Sequence, residues 1–427
     1  MDPRSQLESP PDNERELPWV ADPERRPIPG APPTISGLAL EADASWRAAC
    51  QQHATGRFEL HRRGQDHGEL HTFDPKSEAR ADLPRRSRTR QLFREARPFV
   101  VKSAARSELR EWRNELHRLE SARGKLMEPG GLERFARMAL GRDAGGFVPV
   151  PDPTRHDPER DLERLLFHSQ DTPDAELWAK TGRLSTHPED QSLRLRLGFG
   201  EEGLDDDSND PRARRALARL AARLFPVRAP LFKARLVADL LQYVDNEPLE
   251  PGLDIMYWNR PDGGALFHHD AHSDATDGQR GVLYTQLAGS TAWLALSIGD
   301  LASRVVEFAE IVGGSSAPWL LELWVANGTW AVLEELVQDR GALIRELGLP
   351  GAGRLSEVVN RGPEFTGYLA DVGHACVLEA GDALLLPNHG RLSTAMHSVF
   401  CASPSANLGL STALWRSRPG RSGRRRR

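Results

Sequence analysis

The stretch Leu266-Phe267-His268-His269-Asp270-Ala271-His272-Ser273-Asp274 decides how this chain is read. On an extended strand alternate side chains share one face. His268, Asp270, His272 and Asp274 then all point the same way. Two imidazoles and two carboxylates on one face carry a free-energy cost unless a cation sits among them. Divalent iron, held by two histidines and one carboxylate with open coordination positions, suits such a donor set. Two pairs compete for the role, His268 with Asp270 and His272 with Asp274. The first follows an aromatic residue just after the Gly263-Gly264 turn and is the better match. The other pair then serves as outer groups that hold the ligands.

Length and composition set the frame. At 427 residues and 39% hydrophobic, the chain can bury a large core, in two or three domains or one elaborated domain. The formal charge of -5 argues neither for nor against nucleic acid. Arg421 to Arg427 form a basic tail and Asp205-Asp206-Asp207 an acidic run, both read as solvated or disordered segments. Lysine occurs only at Lys76, Lys102, Lys125, Lys180 and Lys233, so none follows residue 233. Cys50, Cys376 and Cys401 are an odd number without metal-type spacing and do not form a disulfide framework. The first residues lack an apolar signal core, and no run approaches the roughly 18 apolar residues that span a bilayer. A soluble cytoplasmic protein with no membrane partner is expected.

Organisation follows from pattern. Residues 1–90 read as mostly disordered or weakly ordered, with a hairpin between Phe58-Glu-Leu60 and Glu69 to Phe73. Residues 91–253 read as a mainly helical region. Leu109, Trp112, Leu116 and Leu119 form one stripe, and Asp210-Pro211 starts a helix carrying Leu217, Leu220 and Leu224. From Asp254 short strands alternate with turns, through Asp254 to Trp258, Leu266 to His272, Val282 to Leu287 and Thr291 to Leu296. Helical signals interrupt them over 300–350, with Asp300 as a cap and Leu333, Leu336, Leu343 and Leu347 on one face. Strands resume at Ala375 to Glu379, Ala383 to Leu386 and Leu408 to Trp415. The pattern predicts an α+β chain with a jelly-roll (double-stranded β-helix, cupin-like) core over 254–418, a helical N-terminal half and a helical insertion. Residues 419–427 form the tail. The tryptophans at 258, 293, 319, 324 and 330 are expected in the core.

Several of these motifs resemble those of the JmjC and cupin-like oxygenases. Tyr257-Trp-Asn-Arg-Pro-Asp-Gly-Gly264 running into Phe267-His268-His269-Asp270 resembles the strand that brings an H-x-D pair into the barrel. Gln286-Leu-Ala-Gly289-Ser-Thr291-Ala-Trp293 is similar to the family's Q-x-x-G-x-K-x-W pattern. Gly381-Asp382 to Pro387, followed by His397-Ser-Val399, resembles G-D-x-x-x-x-P … H-x-V. Ser411 to Trp415 looks like the closing strand and Arg97-Pro-Phe-Val-Val101 like the opening one. The resemblance covers roughly 254–300 and 370–416.

That resemblance implies His268, Asp270 and His397 as Fe(II) ligands and 2-oxoglutarate as co-substrate. It implies a dioxygenase that hydroxylates a C–H bond of a peptide, an amino acid or a small natural product, with the insertion as a substrate wall. Asp270 favours hydroxylation over halogenation, where the related carboxylate is missing. Two departures stand out. The interval from Pro387 to His397 is longer than in the family, which makes His389 a rival ligand and puts Leu392 at the family's position. Thr291 replaces the lysine that binds the far carboxylate of 2-oxoglutarate, and Ala265 stands where a hydroxyl often assists. The carboxylate anchor then falls to Arg416, Arg391 or Arg280, or to hydroxyls such as Thr291 and Tyr284. An iron oxygenase independent of 2-oxoglutarate and a non-catalytic cupin-like binding protein are the alternatives. No recognisable nucleic-acid module is present.

Overall fold

The computed structural model describes residues 71–73, 83–141, 146–169, 176–184, 192–200, 210–260, 264–271, 278–316, 318–360, 374–401 and 407–416, with a few single residues between. The acidic run, the basic tail, His272 and Asp274 lie outside the described residues, as does the first half of the proposed hairpin. Its second half, β1 (His71–Phe73), instead pairs in parallel with β2 (Phe99–Val101).

Helix α1 (Leu83–Arg94) and then β2 open the continuous part of the chain, so order begins before residue 90. The stripe from Leu109 to Leu119 divides into α2 (Arg106–Glu111) and α3 (Arg113–Leu126), hinged at Trp112, and α4 (Gly131–Leu140) follows. The helical reading of 91–253 fails over 147–199. There β3 (Phe147–Asp152), β4 (Asp161–Ser169), β5 (Leu177–Arg183) and β6 (Leu193–Phe199) form an antiparallel meander. The signal was the period-two alternation of Leu193-Arg-Leu-Arg-Leu197, whose leucines are buried and whose arginines are not.

Next come α5 (Pro211–Leu224), α6 (Arg228–Lys233) and α7 (Arg235–Tyr243). Asp210 caps α5 as its sequence predicts, accepting from Arg212 N–H at 2.8 Å with proline at the first turn. Four strands follow, β7 (Leu249–Asn259), β8 (Gly264–His268), β9 (Gly281–Ala288) and β10 (Ser290–Ser297).

The insertion comprises α8 (Ile298–Ile311), α9 (Pro318–Ala326), α10 (Thr329–Val337), α11 (Arg340–Leu347) and α12 (Ser356–Val359). Ser297, not Asp300, caps α8, and Asp300 pairs with Arg97 at 2.9 Å. Leu333 to Leu347 belong to two helices rather than one, because Asp339 caps α11. Four strands complete the chain, β11 (Ala375–Glu379), β12 (Ala383–Pro387), β13 (Ala395–Cys401) and β14 (Asn407–Arg416).

The strands make a large sheet, β1-β2-β12-β9-β14-β7-β6-β5-β4-β3, and a small one, β11-β10-β13-β8. All pairings but β1–β2 are antiparallel. Val282, Tyr284, Leu384 and Leu386 of the large sheet meet Trp293, Ala295 and Cys376 of the small one. The N-terminal helices cover the far face of the large sheet, through Leu217 and Leu220 against Met256 and Trp258. The insertion covers the far face of the small sheet, through Leu301 and Val305 against Leu294 and Leu296. The result is α+β in four layers, with the site between the sheets. Among the described residues no helix is long and apolar enough to cross a membrane.

Candidate metal centre

His268, Asp270 and His397 come together, each offering a donor atom within 4.8 Å of the others. His268 Nε2 lies 3.9 Å from Asp270 Oδ1, and His397 Nε2 lies 3.8 Å from Asp270 Oδ2. Backbone pairing brings the histidines together, because His397 on β13 is the register partner of His268 on β8. The next aligned pair is Val399 with Ala265, so β8 holds one residue more than β13 in that interval. Such a bulge turns the local alternation over. It lets both Ala265 and His268 face the space between the sheets, while Phe267 enters the opposite core.

Simple alternation therefore does not place Asp270. Strand β8 ends at His268, and Asp270 reaches the cluster from the segment beyond it. Asn388 Nδ2 donates to the Asp270 carbonyl at 3.2 Å, and Asn360 Oδ1 accepts from Phe267 N–H at 2.9 Å. His269 turns away, its Nε2 3.1 Å from the Gly348 carbonyl.

His397 is the most enclosed of the three, its side chain 5% exposed against 40% for His268 and 34% for Asp270. Burial, followed by the neighbouring His268, pushes its pKa down to about 3, so the ring is neutral and keeps a lone pair. Its Nδ1 has no hydrogen-bond partner among the described residues. Trp293 packs on the ring at 5.6 Å between centroids, and Tyr284 meets Trp293 edge-on at 4.7 Å. Three donors, one an anionic oxygen and two imidazole nitrogens, fit a divalent transition-metal ion.

His389 does not join the cluster. Its Nε2 contacts the Phe93 carbonyl and its ring packs on Phe93 at 5.1 Å. The long interval before His397 is a loop closed by the Asn388–Thr394 bridge, and Leu392 at its tip is exposed.

The pocket around the cluster has a volume of about 50 Å³, room for a few water molecules. Tyr257, Asn259, Ala265, Tyr284, Trp293 and Ser411 line it beside the three candidate ligands. Among the described residues, none of the insertion does so. Leu184, from the N-terminal half, does. The insertion packs behind the small sheet, on the face of β8 away from the pocket. Trp293 is both buried and a pocket wall.

The proposed carboxylate anchors fare unevenly. Arg416 is a correction: its Nε and Nη2 bind Asp245 at 2.9 and 3.3 Å, and it does not line the pocket. Arg280 shares the same Asp245 at 3.3 Å, and Arg391 is exposed on the loop before β13. Thr291 is fully buried, donating to Gln286 Oε1 at 2.7 Å and accepting from Trp293 Nε1 at 2.8 Å. Tyr284 donates to the same Gln286 oxygen at 3.0 Å. Burial keeps that phenol protonated far above its ordinary range. These side chains brace the back of the pocket. Sequence reasoning missed Tyr257 and Asn259, although their i, i+2 spacing on β7 was a readable signal.

The chain matches no protein-family model, and no curated protein matches its sequence.

Proposed function

We propose that the chain is a non-haem Fe(II)-dependent dioxygenase that hydroxylates a C–H bond of a peptide, an amino acid or a small natural product, with 2-oxoglutarate as co-substrate. The convergence of His268, Asp270 and His397 in a pocket between two sheets carries this reading. Bound by this set, iron supplies the activation of O₂ that side chains lack. The protein's own part is preorganisation. Trp293 and Tyr284 fix the His397 ring, the β8 bulge aims His268, and the buried walls limit access of water. A jelly-roll core agrees with the strand orders β12-β9-β14-β7 and β11-β10-β13-β8, since the chain passes repeatedly from one sheet to the other after β7.

One observation favours a second reading, an iron oxygenase that chelates its substrate without 2-oxoglutarate. The Thr291 hydroxyl is committed to Gln286 and Trp293, and Ala265 offers no hydroxyl. Anaerobic titration of the Fe(II)-loaded protein with 2-oxoglutarate separates the two. Chelation by the 2-oxo acid produces a visible charge-transfer band, and admitting O₂ with substrate then releases succinate. Turnover without the band or succinate establishes the second reading. Failure to take up Fe(II) leaves a non-catalytic binding protein.

A further inference from the structure

Strand β6 sends Leu193, Leu195 and Leu197 into the helix-covered core. Arg194 and Arg196 therefore face the side of the sheet on which the metal pocket lies. Arg194 is the register partner of Tyr257 on β7 and of Gly182 on β5. Directly opposed residues share a face. Arg194 is thus flanked by Tyr257 and by the end of β5, where Leu184 follows; Tyr257 and Leu184 line the pocket, and Arg194 stands next to them just outside the lining. Gly182 adds no side chain beside it: a Cβ there would lie 3.7 Å from Arg194 Nε.

The other cations of this wall have work already. Arg164 pairs with Asp152 and Glu176, Lys180 lies 3.1 Å from Asp161, and Arg196 stacks on Trp178. Arg194 makes no ion pair or hydrogen bond among the described residues, and its Nε is buried without a partner. The residue as a whole is half-buried, so the unmet demand is that of one buried N–H beside a cation still open to a ligand.

Two neighbours extend the same demand. Asn259 is 3% exposed and lines the pocket with an Oδ1 that meets no partner among the described residues. Its carboxamide can turn either end to a ligand. Tyr257 lines the pocket beside Asn259 and brings a phenol O–H donor to the same strand face. A guanidinium, a phenol and a carboxamide on one wall make a donor-rich recess, and a planar carboxylate matches a guanidinium two oxygens to two N–H groups.

We propose that Arg194, with Tyr257 and Asn259, forms a carboxylate-binding subsite at the edge of the metal pocket. The molecule held there is an organic acid or an acidic side chain. The inference rests on the reading of this pocket as the reactive site. Its carboxylate belongs either to the molecule oxidised or to the far end of the oxo-acid co-substrate.

The test uses the full chain as wild type, Arg194→Gln and Arg194→Lys. Mn(II) binding is measured first. Calorimetric titration follows with glutarate, its neutral analogue glutaramide, and 2-oxoglutarate, with and without Mn(II). Wild type binds glutarate or 2-oxoglutarate in preference to glutaramide, and Arg194→Gln weakens at least one diacid about tenfold or more. Arg194→Lys falls between. Mn(II) affinity and thermal midpoint stay constant in both variants. Loss for 2-oxoglutarate assigns the carboxylate to the co-substrate; loss for glutarate alone assigns it to the molecule oxidised. Equal binding of both diacids by wild type and Arg194→Gln, or no preference of wild type for them over glutaramide, overturns the subsite. A wild type that binds no Mn(II) fails the metal reading instead, and the metal-free titrations then decide the subsite by themselves.

Discussion

His268 and His397 are aligned partners across β8 and β13, with ring centroids 4.2 Å apart and planes inclined at 55°. The backbone ladder, not the imidazoles, holds that pairing. A ligand side chain can therefore be removed without unpairing the strands.

Replacing Asp270 by alanine is expected to weaken Fe(II) or Mn(II) binding by at least about tenfold, with little change in thermal midpoint. His389→Ala should bind metal as wild type does, because His389 is occupied with Phe93. Equilibrium metal titration with a competing chelator measures both. An Asp270→Ala protein with undiminished affinity would move the site to other donors.

The fold depends on a buried charge pair behind the large sheet. Arg228 Nε donates to Asp254 Oδ2 at 2.6 Å, and the Thr412 hydroxyl donates to Oδ1 at 2.5 Å. Asp254 is fully buried, and burial outweighs these partners in pushing its carboxyl upward. Arg228→Leu strands the carboxylate and should cost about 3–5 kcal/mol in urea unfolding. Adding Asp254→Leu should recover much of that loss, since an apolar pair needs no compensation. A mild single variant would show that Asp254 is already protonated.

Tyr284 lies against the backbone of Gly409, where a Cβ would come within 2.0 Å of the phenol oxygen. Gly409→Ala must displace the ring and with it the hydrogen bond to Gln286. The expected cost is about 1–3 kcal/mol. Metal affinity should fall as well, because Tyr284 braces Trp293 against His397. Chemical denaturation and metal titration of the same variant test both effects.

Acid should destabilise the protein through His374, which is 2% exposed and accepts from Arg304 Nε at 3.0 Å. Burial and then Arg304 push its pKa from 6.5 to about 4. The unfolded chain takes up the proton first, so stability falls as pH drops from about 6.5 toward 4, by at most ~1.4 kcal/mol per pH unit from this group. In His374→Gln, which keeps an acceptor for Arg304, the slope across that window should be shallower by about that amount. Unfolding midpoints measured at intervals across the window give both slopes. An unchanged slope would show that the folded protein does not hold His374 neutral across that window.

The sequence by itself determined the donor types and where they fall in the chain. His268 and Asp270 beside the glycines at 263 and 264, and His397 in its H-S-V context, were readable. The two donor motifs are local features, set by side-chain chemistry and strand period; the helix-to-strand change read at Asp254 is not a boundary of the fold, since β3 to β6 precede it and β7 begins at Leu249. What the sequence left open were relations across the chain. Only tertiary structure chose His397 over His389, since the choice turns on a loop that buries one imidazole against Phe93 and brings the other opposite His268. The β8 bulge that aims His268 is a mismatch between two strands and leaves no mark in either alone. Arg416 looked like an anchor on its own strand, and the approach of Asp245 from a distant turn removed it. Arg194 sits in a stretch whose alternation marks a strand but not its neighbours, and its place beside the pocket exists only because β6 pairs with β7. Long-range pairing is fixed by burial and backbone hydrogen bonds summed over the whole sheet, which no short stretch of residues encodes.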